Sequence, residues 1–140
     1  MAIRCDMAIV GAGPAGYVAA LRAAQLGARA VLIEKEAVGG ICLNWGCIPT
    51  KALLRTAEVL EVSRRASAYG VIVSDTKLHW GTAQKRKTRI VRRLTGGVEL
   101  LLKKAGVRLL LFCHYHARYQ AVQAQWEDGV ERVEAGYYLI

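Results

Sequence analysis

The chain has 140 residues, of which 54% are hydrophobic, enough for one domain with a substantial core, which excludes intrinsic disorder. Its net charge is +9, but no apolar run reaches membrane-spanning length. The N-terminus predicts a strand and not a signal peptide. Four cysteines without a secretory signal favour thiol chemistry in a reducing compartment, so we expect a cytoplasmic protein without a membrane partner.

A glycine-rich turn connects two apolar runs near the N-terminus. Met7–Val10 predicts a strand, and the turn Gly11–Gly16 follows it. The next residues have helical spacing, with an expected buried face of Ala19, Ala23 and Leu26. Gly27 suits the helix C-terminus. Ala28–Ile33 then predicts a second strand, and the acidic Glu34 stands at its end.

This order of strand, glycine turn, helix, strand and acid is the dinucleotide-binding pattern in its required context. Gly11 permits the tight turn, and Gly13 lets the backbone approach a pyrophosphate closely. Gly16 lets the helix and the strand pack closely. The pyrophosphate would lie at the helix N-terminus, and Glu34 can accept hydrogen bonds from a ribose. A glycine turn that serves only packing is the alternative. The predicted contact residues are Gly11, Gly13, Pro14, Ala15, Gly16, Glu34 and Lys35.

Two cysteines stand five positions apart in the turn-rich segment Gly39–Lys51. A loop of this length can close as a disulfide between Cys42 and Cys47. From about Thr50 onward, apolar residues recur at helical spacing, at Leu53, Leu54, Ala57 and Leu60. Cys47 therefore lies just before a helix N-terminus, which favours a thiolate, and Lys51 adds positive charge nearby. A pair of buried inert cysteines is the alternative, but it leaves the glycines and the lysine unexplained.

A basic helix is predicted over residues 82–105. Its cations are Lys85, Arg86, Lys87, Arg89, Arg92, Arg93, Lys103 and Lys104, and its apolar stripe is Ile90, Leu94, Val98, Leu101 and Ala105. No aromatic residues lie among the cations to stack bases, so we prefer a solvated helix face to a nucleic-acid site. Gly96 and Gly97 each cost about 1 kcal/mol relative to alanine, which predicts a close backbone contact there.

The last part of the chain has the alternation of antiparallel strands. Val107–Phe112 predicts one strand, and Gln120–Trp126 predicts another. Asp128-Gly129 is a hairpin turn that leads into Val130–Val133. Two histidines at i, i+2 spacing lack a nearby partner at ligand spacing, so we predict no metal site.

The segment Gly39–Lys51 resembles the redox-active motif of the flavin-dependent pyridine nucleotide–disulfide oxidoreductases. Its residues Cys-Leu-Asn-Trp-Gly-Cys-Ile-Pro-Thr-Lys are most similar to the dihydrolipoamide dehydrogenase branch. A glutathione- or mercuric-reductase-like enzyme and a catalytically inactive FAD-binding fragment are the alternatives. The resemblance extends from Met7 to Ile140. It implies an α/β fold: an incomplete Rossmann-like FAD-binding domain, with a parallel sheet and helices, and a small antiparallel β-meander over about residues 107–140.

The resemblance also implies roles for individual residues. Cys42 is then the interchange thiol, Cys47 is the thiol beside the flavin, and Lys51 is the lysine near flavin N5. Gly40 and Cys42 count among the cofactor contacts. Ala117 matches a corner whose backbone contacts the adenine. In the complete enzyme, electrons pass from a dihydrolipoyl group, or another small dithiol, to FAD and then to NAD.

The same resemblance implies domains that these 140 residues do not contain. The sequence has one GxGxxG, so we expect the NAD domain to be absent. We also expect the absence of the dimer-interface domain, which donates a His–Glu acid/base pair to the partner subunit. The chain is therefore expected to be a fragment that is inactive alone. The resemblance further implies that complete members are homodimers, some of which join 2-oxoacid dehydrogenase complexes.

Overall fold

The computed structural model describes residues 3–111 and the backbone of residues 123–124 and 133–134. The first elements are β1 (Met7–Val10), α1 (Pro14–Gln25), β2 (Ala30–Glu34), α2 (Gly40–Asn44) and α3 (Cys47–Arg64). A 3-10 turn (Ala66–Tyr69), α4 (Trp80–Lys104) and β3 (Arg108–Leu111) follow. Two short strands, β4 (Gln123–Ala124) and β5 (Val133–Glu134), complete the order.

Three parallel strands form the main sheet, and β2 lies between β1 and β3. Met7 is opposite Ala30 in one pair of strands, and Arg108 is opposite Val31 in the other. Every residue of β2 is buried, which explains why this strand is an uninterrupted apolar run until Glu34. The parallel sheet with its helices confirms the predicted α/β fold.

One face of the sheet carries the core. Helices α1 and α4 pack on this face, where Ala20 and Ala23 of α1 and Leu102 of α4 join Ala30 and Leu32 of β2. The small side chains of α1 let the helix lie close to the strand. Since alternate residues of a strand face opposite sides, Val31 and Ile33 belong to the other face, and they are buried as well.

The buried face of α1 differs from the prediction. Gly16, Ala20 and Ala23 are buried, whereas Ala19 is exposed and Leu26 is 69% exposed. The helix is closest to the strand at Gly16, and the residues one and two turns further along continue that contact. Leu26 falls outside this face because the helix ends at Gln25. The left-handed Gly27, with φ of 87°, follows as expected.

The packing of α4 also differs from the prediction. Leu102 is 1% exposed, while Leu101, which we placed on the buried stripe, is 53% exposed. The close contact expected at Gly96 and Gly97 is absent, because a Cβ at either position would have no neighbour within 4 Å in the described part of the chain. Two residues of the predicted stripe, Val98 and Ala105, do pack against the core, beside the buried Leu102.

The connection from β2 to β3 is long and carries the cysteine segment. It contains α2 and α3 before α4 returns to the sheet. Helix α3 packs on α4, where the guanidinium of Arg86 donates a 2.9 Å hydrogen bond to the carbonyl of Ala52. Ala52 is the one buried residue of α3, so the predicted apolar stripe is mostly open, and Leu54 is 56% exposed. The helix begins at Cys47 and not near Thr50.

The amino ends of β1 and β2 are joined by an ion pair. Asp6 accepts hydrogen bonds from the backbone N–H of Arg29 at 2.8 Å and from its guanidinium at 2.6 and 3.0 Å. These hydrogen bonds lower the pKa of Asp6 to about 2. Both side chains are exposed, so the pair contributes little to stability. It lies at the end of the sheet opposite to the glycine turn.

Strands β4 and β5 pair antiparallel, with Gln123 opposite Glu134, as the predicted hairpin requires. The Asp128-Gly129 turn, the last predicted strand and Ala117 lie outside the described residues. Among the described helices, none has the length and apolar character needed to cross a membrane. Within the same part of the chain, no group of three side chains could ligate a metal ion.

Candidate functional site

The glycine turn is closed by contacts that require glycine. Gly11 has φ of +95° and donates a 2.7 Å hydrogen bond to the carbonyl of Ile33. A Cβ on Gly16 would overlap the carbonyl oxygen of Gly11, so no larger residue fits there. At Gly13, by contrast, a Cβ would meet no atom of the described chain within 4 Å. Gly13 therefore presents bare backbone to open space.

The N-terminus of helix α1 lies next to this exposed backbone of Gly13. Gly13 is its N-cap, no described side chain caps it, and Pro14 occupies the first helical position. The N–H groups of a first helical turn have no intrahelical partner. At the N-terminus of α1, the groups of Ala15 and Gly16 and the positive end of the helix dipole favour an anion.

Glu34 connects the turn to the end of β2. Its Oε2 accepts a 2.7 Å hydrogen bond from the N–H of Ala12, and its Oε1 accepts one of 2.9 Å from the N–H of Glu36. The residue is only 7% exposed. The sequence predicted a ribose acceptor, and it did not predict that this carboxylate also holds the glycine turn in place.

The backbone keeps this buried carboxylate charged. Burial by itself would raise the pKa of Glu34, but the N–H groups of Ala12, Glu36 and Lys35 donate to the carboxylate. The charge of Lys35 acts in the same direction. The net result is a pKa below the ordinary value of 4.5. Glu34 is therefore ionised at neutral pH and keeps lone pairs that can accept further hydrogen bonds.

The thiol loop, which we define as residues 39–47, lies directly against the glycine turn. The N–H of Gly39 donates a 2.7 Å hydrogen bond to the carbonyl of Ala12. Gly40 has φ of +55°, and a Cβ on it would lie 2.9 Å from Cα of Gly13. The two predicted parts of the site, which are far apart in sequence, are thus brought together by their glycine backbones.

The two thiols of this loop are free. Cys42 lies on α2 and is half-buried, while Cys47 is exposed and opens α3. The hydrogen bond between the two thiols raises the pKa of Cys42, and desolvation and the charge of a Cys47 thiolate raise it further. A backbone hydrogen bond from Cys47 and the charge of Lys51 oppose this rise. Cys42 therefore keeps its proton at neutral pH when the pair is reduced.

Two further side chains have structural roles that the sequence analysis did not predict. The amide Nδ2 of Asn44 donates to the carbonyls of Val38 and Gly40, both at 3.0 Å. An asparagine at the end of a short helix that follows two glycines is the signal that could have indicated this. The ring Nδ1 of His79 accepts from the N–H of Thr82 at 3.2 Å, so this histidine caps α4.

The remaining predicted residues are more peripheral. Lys51 is exposed on α3, one turn after Cys47, and its charge reaches Cys42. Lys35 is exposed just after β2. Ala117 is outside the described residues, so its predicted contact with the adenine stays a prediction.

Known proteins resemble this chain in sequence. Dihydrolipoyl dehydrogenase of Chlorobaculum parvum is 44% identical over 136 residues, which are 96% of this chain and 29% of that protein. The enzymes of the same name from Acholeplasma laidlawii and Bacillus subtilis are 50% and 48% identical over 103 and 107 residues. Those matches cover 73% and 76% of this chain and 31% and 23% of the relatives. The chain therefore spans about a quarter to a third of the length of these curated relatives.

The fold comparison agrees with the sequence comparison. The crystal structure of LpdA from Mycobacterium tuberculosis matches with a TM-score of 0.69 and 25% identity, covering 75% of this chain and 23% of that chain. Residues 5–140 match the family profile of the pyridine nucleotide-disulphide oxidoreductases, whose members use FAD and NAD. On the glycine turn, the adjoining thiol pair and these matches, the chain belongs to the pyridine nucleotide-disulphide oxidoreductase family.

Proposed function

We propose that this chain forms the FAD-binding, thiol-bearing part of a dihydrolipoyl dehydrogenase. The observation that carries the proposal is the contact between the glycine turn and the thiol loop, at Gly39 with Ala12 and at Gly40 with Gly13. A nucleotide held by the turn would thereby lie beside a redox-capable cysteine pair. The named relatives, all dihydrolipoyl dehydrogenases, favour this activity over a glutathione- or mercuric-reductase-like one.

The described residues fit FAD. Gly13 offers bare backbone next to the uncapped N-terminus of α1, which suits the pyrophosphate together with Gly11, Pro14, Ala15 and Gly16. Glu34 is charged and has spare lone pairs for ribose hydroxyls, and Lys35 is adjacent. Gly40, Cys42 and Lys51 would line the flavin end, and Ala117 would contact the adenine. FAD, when bound, supplies a two-electron acceptor for the cysteine pair, and NAD takes the electrons on in the complete enzyme.

The cysteines perform the thiol–disulfide part of the reaction. In the oxidised protein, one thiolate of the substrate dithiol attacks Sγ of Cys42, and the bond to Cys47 breaks, which leaves Cys47 as a thiolate. The second substrate thiol then attacks the mixed disulfide. The substrate leaves as a cyclic disulfide, and Cys42 takes a proton. Two electrons have moved from the substrate to the cysteine pair, and Lys51 stabilises the negative charge that accumulates there.

This thiol step can be tested without NAD. The FAD-reconstituted chain is first oxidised and then treated anaerobically with dihydrolipoamide, and alkylated peptides are identified by mass. We expect Cys42 and Cys47 to change together from a disulfide to two alkylated thiols, with release of lipoamide. The Cys47→Ser variant, which cannot form the disulfide, is the control. A wild-type chain that never forms this disulfide after mild oxidation would contradict the proposal.

The cellular setting is part of the proposal. We place the protein in the cytoplasm because the proposed reaction uses a cysteine pair that must cycle through its reduced form, which a reducing compartment favours. The expected partners are a dihydrolipoyl group, a second copy of the complete subunit, and a 2-oxoacid dehydrogenase complex. The NAD and dimer-interface domains would lie outside these 140 residues. Co-purification of the complete gene product with lipoylated protein tests the complex.

A further inference from the structure

Helix α2 needs support from outside itself. It has five residues, Gly40–Asn44, and a helix this short is not stable alone in water. Its backbone bonds include those from Leu43 to Gly39 and from Trp45 to Ile41. Cys42 lies in the middle of this single turn, so the position of its sulfur depends on what fixes the turn.

The side chain of Asn44 provides that support. Its Nδ2 group has two N–H donors, and the carbonyls of Val38 and Gly40 accept them at 3.0 Å each. Val38 is 2% exposed and belongs to the core, while Gly40 packs on the backbone of Gly13. Asn44 therefore ties the end of α2 both to the core and to the residue that packs on the glycine turn.

We propose that Asn44 is a positioning residue for the cysteine pair, a role that rests on the proposed function. It holds the turn that carries Cys42, and it lies three residues before Cys47. A second restraint follows it, because a Cβ on Gly46 would lie 3.1 Å from the carbonyl oxygen of Ile41. With the loop held at both points, the two sulfurs lose little conformational freedom when they form a disulfide. Asn44 thus favours the disulfide without touching substrate or flavin.

The equilibrium with dithiothreitol measures this effect. Cys42 and Cys47 give two electrons and two protons to oxidised dithiothreitol, which leaves as the dithiol while the protein disulfide forms. The intact chain is equilibrated in defined mixtures, quenched with acid and analysed by peptide mass. We expect Asn44→Ala to lower the equilibrium constant of the disulfide about tenfold, which is less than the full contribution of two neutral hydrogen bonds, because both bonds are also present when the thiols are free. This corresponds to a reduction potential higher by about 30 mV.

Two variants separate positioning from general stability. Asn44→Asp has nearly the same size but no donors at neutral pH, and we expect it to lower the constant as Asn44→Ala does. Ser63→Ala removes a comparable bond, from the Ser63 hydroxyl to the carbonyl of Val59 at 2.8 Å, near the far end of α3. We expect this control to leave the constant unchanged.

The results distinguish the inference from the proposed function. If folded Asn44→Ala and Asn44→Asp keep the wild-type constant, Asn44 does not position the pair. If Asn44→Ala does not fold, Asn44→Ser, which keeps one donor, takes its place. A wild-type constant in folded Asn44→Ser and Asn44→Asp would likewise mean that Asn44 does not position the pair. If the wild-type chain forms no Cys42–Cys47 disulfide in any mixture, the proposed function itself is wrong.

Discussion

The glycine turn and the thiol loop touch each other, yet they are built in opposite ways. In the turn, Gly16 is buried and both oxygens of Glu34 accept backbone hydrogen bonds. In the loop, Cys47 is exposed, and the proton of Cys42 is held partly by its own partner thiol. The turn can recognise a ligand with its own atoms. The reduced pair holds a proton on Cys42, and among the described side chains only the charge of Lys51 favours its loss.

The largest expected effect concerns full turnover. We expect the FAD-loaded chain to form no sustained NADH from dihydrolipoamide, because it has one dinucleotide fingerprint and because its described residues place no acid–base group beside Cys42 other than Cys47 and Lys51. Such groups alone typically contribute about 100- to 10,000-fold. A steady-state absorbance assay checks this. Sustained rates of about 1 per second or more would contradict this expectation and show that the thiol loop reacts without an acid–base group from another domain.

One substitution in the glycine turn should destabilise the fold, and another should impair only the binding of FAD. Gly16→Ala forces a methyl group into the carbonyl of Gly11, so we expect it to lower the free energy of unfolding by about 3 kcal/mol and to abolish FAD binding. Gly13→Ala is the matched control, because its methyl group points into open space. It should fold normally but bind FAD weakly. Urea unfolding and flavin fluorescence give the two readouts, and equal stability losses in both variants would refute this account.

Glu34→Gln tests the carboxylate that holds the turn. The amide NH₂ would face one of the N–H donors of Ala12 and Glu36, so we expect a loss of about 2 kcal/mol in unfolding free energy at neutral pH. FAD affinity should also fall. Denaturant unfolding monitored by circular dichroism measures the first effect.

The pH dependence sharpens this test. The pKa of Glu34 is lower in the folded chain than its ordinary value of 4.5, so its stabilising contribution is fully present above about that pH. The contribution is lost as the pH falls through the lowered folded value. The stability difference between wild type and Glu34→Gln should therefore shrink in acid. A difference that stays constant from pH 7 to pH 3 would assign the effect to packing.

A smaller change is expected in the reactivity of the loop. Cys47→Ala removes the partner thiol that raises the pKa of Cys42, so iodoacetamide should alkylate Cys42 faster at pH 8. Lys51→Met removes a charge that lowers this pKa, so it should slow the reaction. Rates are followed by peptide mass in the reduced protein. Equal rates in all three proteins would mean that the two thiols do not interact.

The smallest expected effect lies away from both regions. Gly96 and Gly97 are exposed in the middle of α4, with nothing within 4 Å of a Cβ among the described residues. Replacing either one with alanine should raise the free energy of unfolding by about 0.5–1 kcal/mol and leave FAD affinity unchanged. Thermal unfolding of each variant checks this. A destabilised variant would indicate a partner surface that needs the glycines.

Local chemistry predicted the described strands of the main sheet and the glycine turn well. β1 has the predicted bounds, and Gly11, Gly13 and Gly16 form the turn that their spacing indicates. The strands are indicated by the period of their apolar residues, and the turn is indicated by the spacing of its glycines. Both patterns can be read directly from the sequence. The assigned roles in binding FAD and in transferring electrons stay predictions.

What the sequence could not predict depends on contacts between distant segments. The exposure of Leu101 follows from where the axis of α4 lies against the sheet, and the exposure of Leu26 follows from the end of α1 one residue before it. The contact of Gly40 with Gly13 and the hydrogen bonds of Asn44 have no periodic signal. Glu34 was predicted to bind a ligand. Its hydrogen bond from the N–H of Ala12 could not be predicted, because it depends on where the fold places Ala12.

The long connection between β2 and β3 has a kinetic consequence. Met7 pairs with Ala30, whereas Val31 of the same central strand pairs with Arg108. The second closure spans a much longer stretch of chain, which adds about 1 kcal/mol of loop entropy and slows pairing. The unit of β1, α1 and β2 can therefore assemble early from local contacts. Both reactive cysteines lie in this later-closing stretch, so we expect them to reach their final positions after the unit of β1, α1 and β2 has formed.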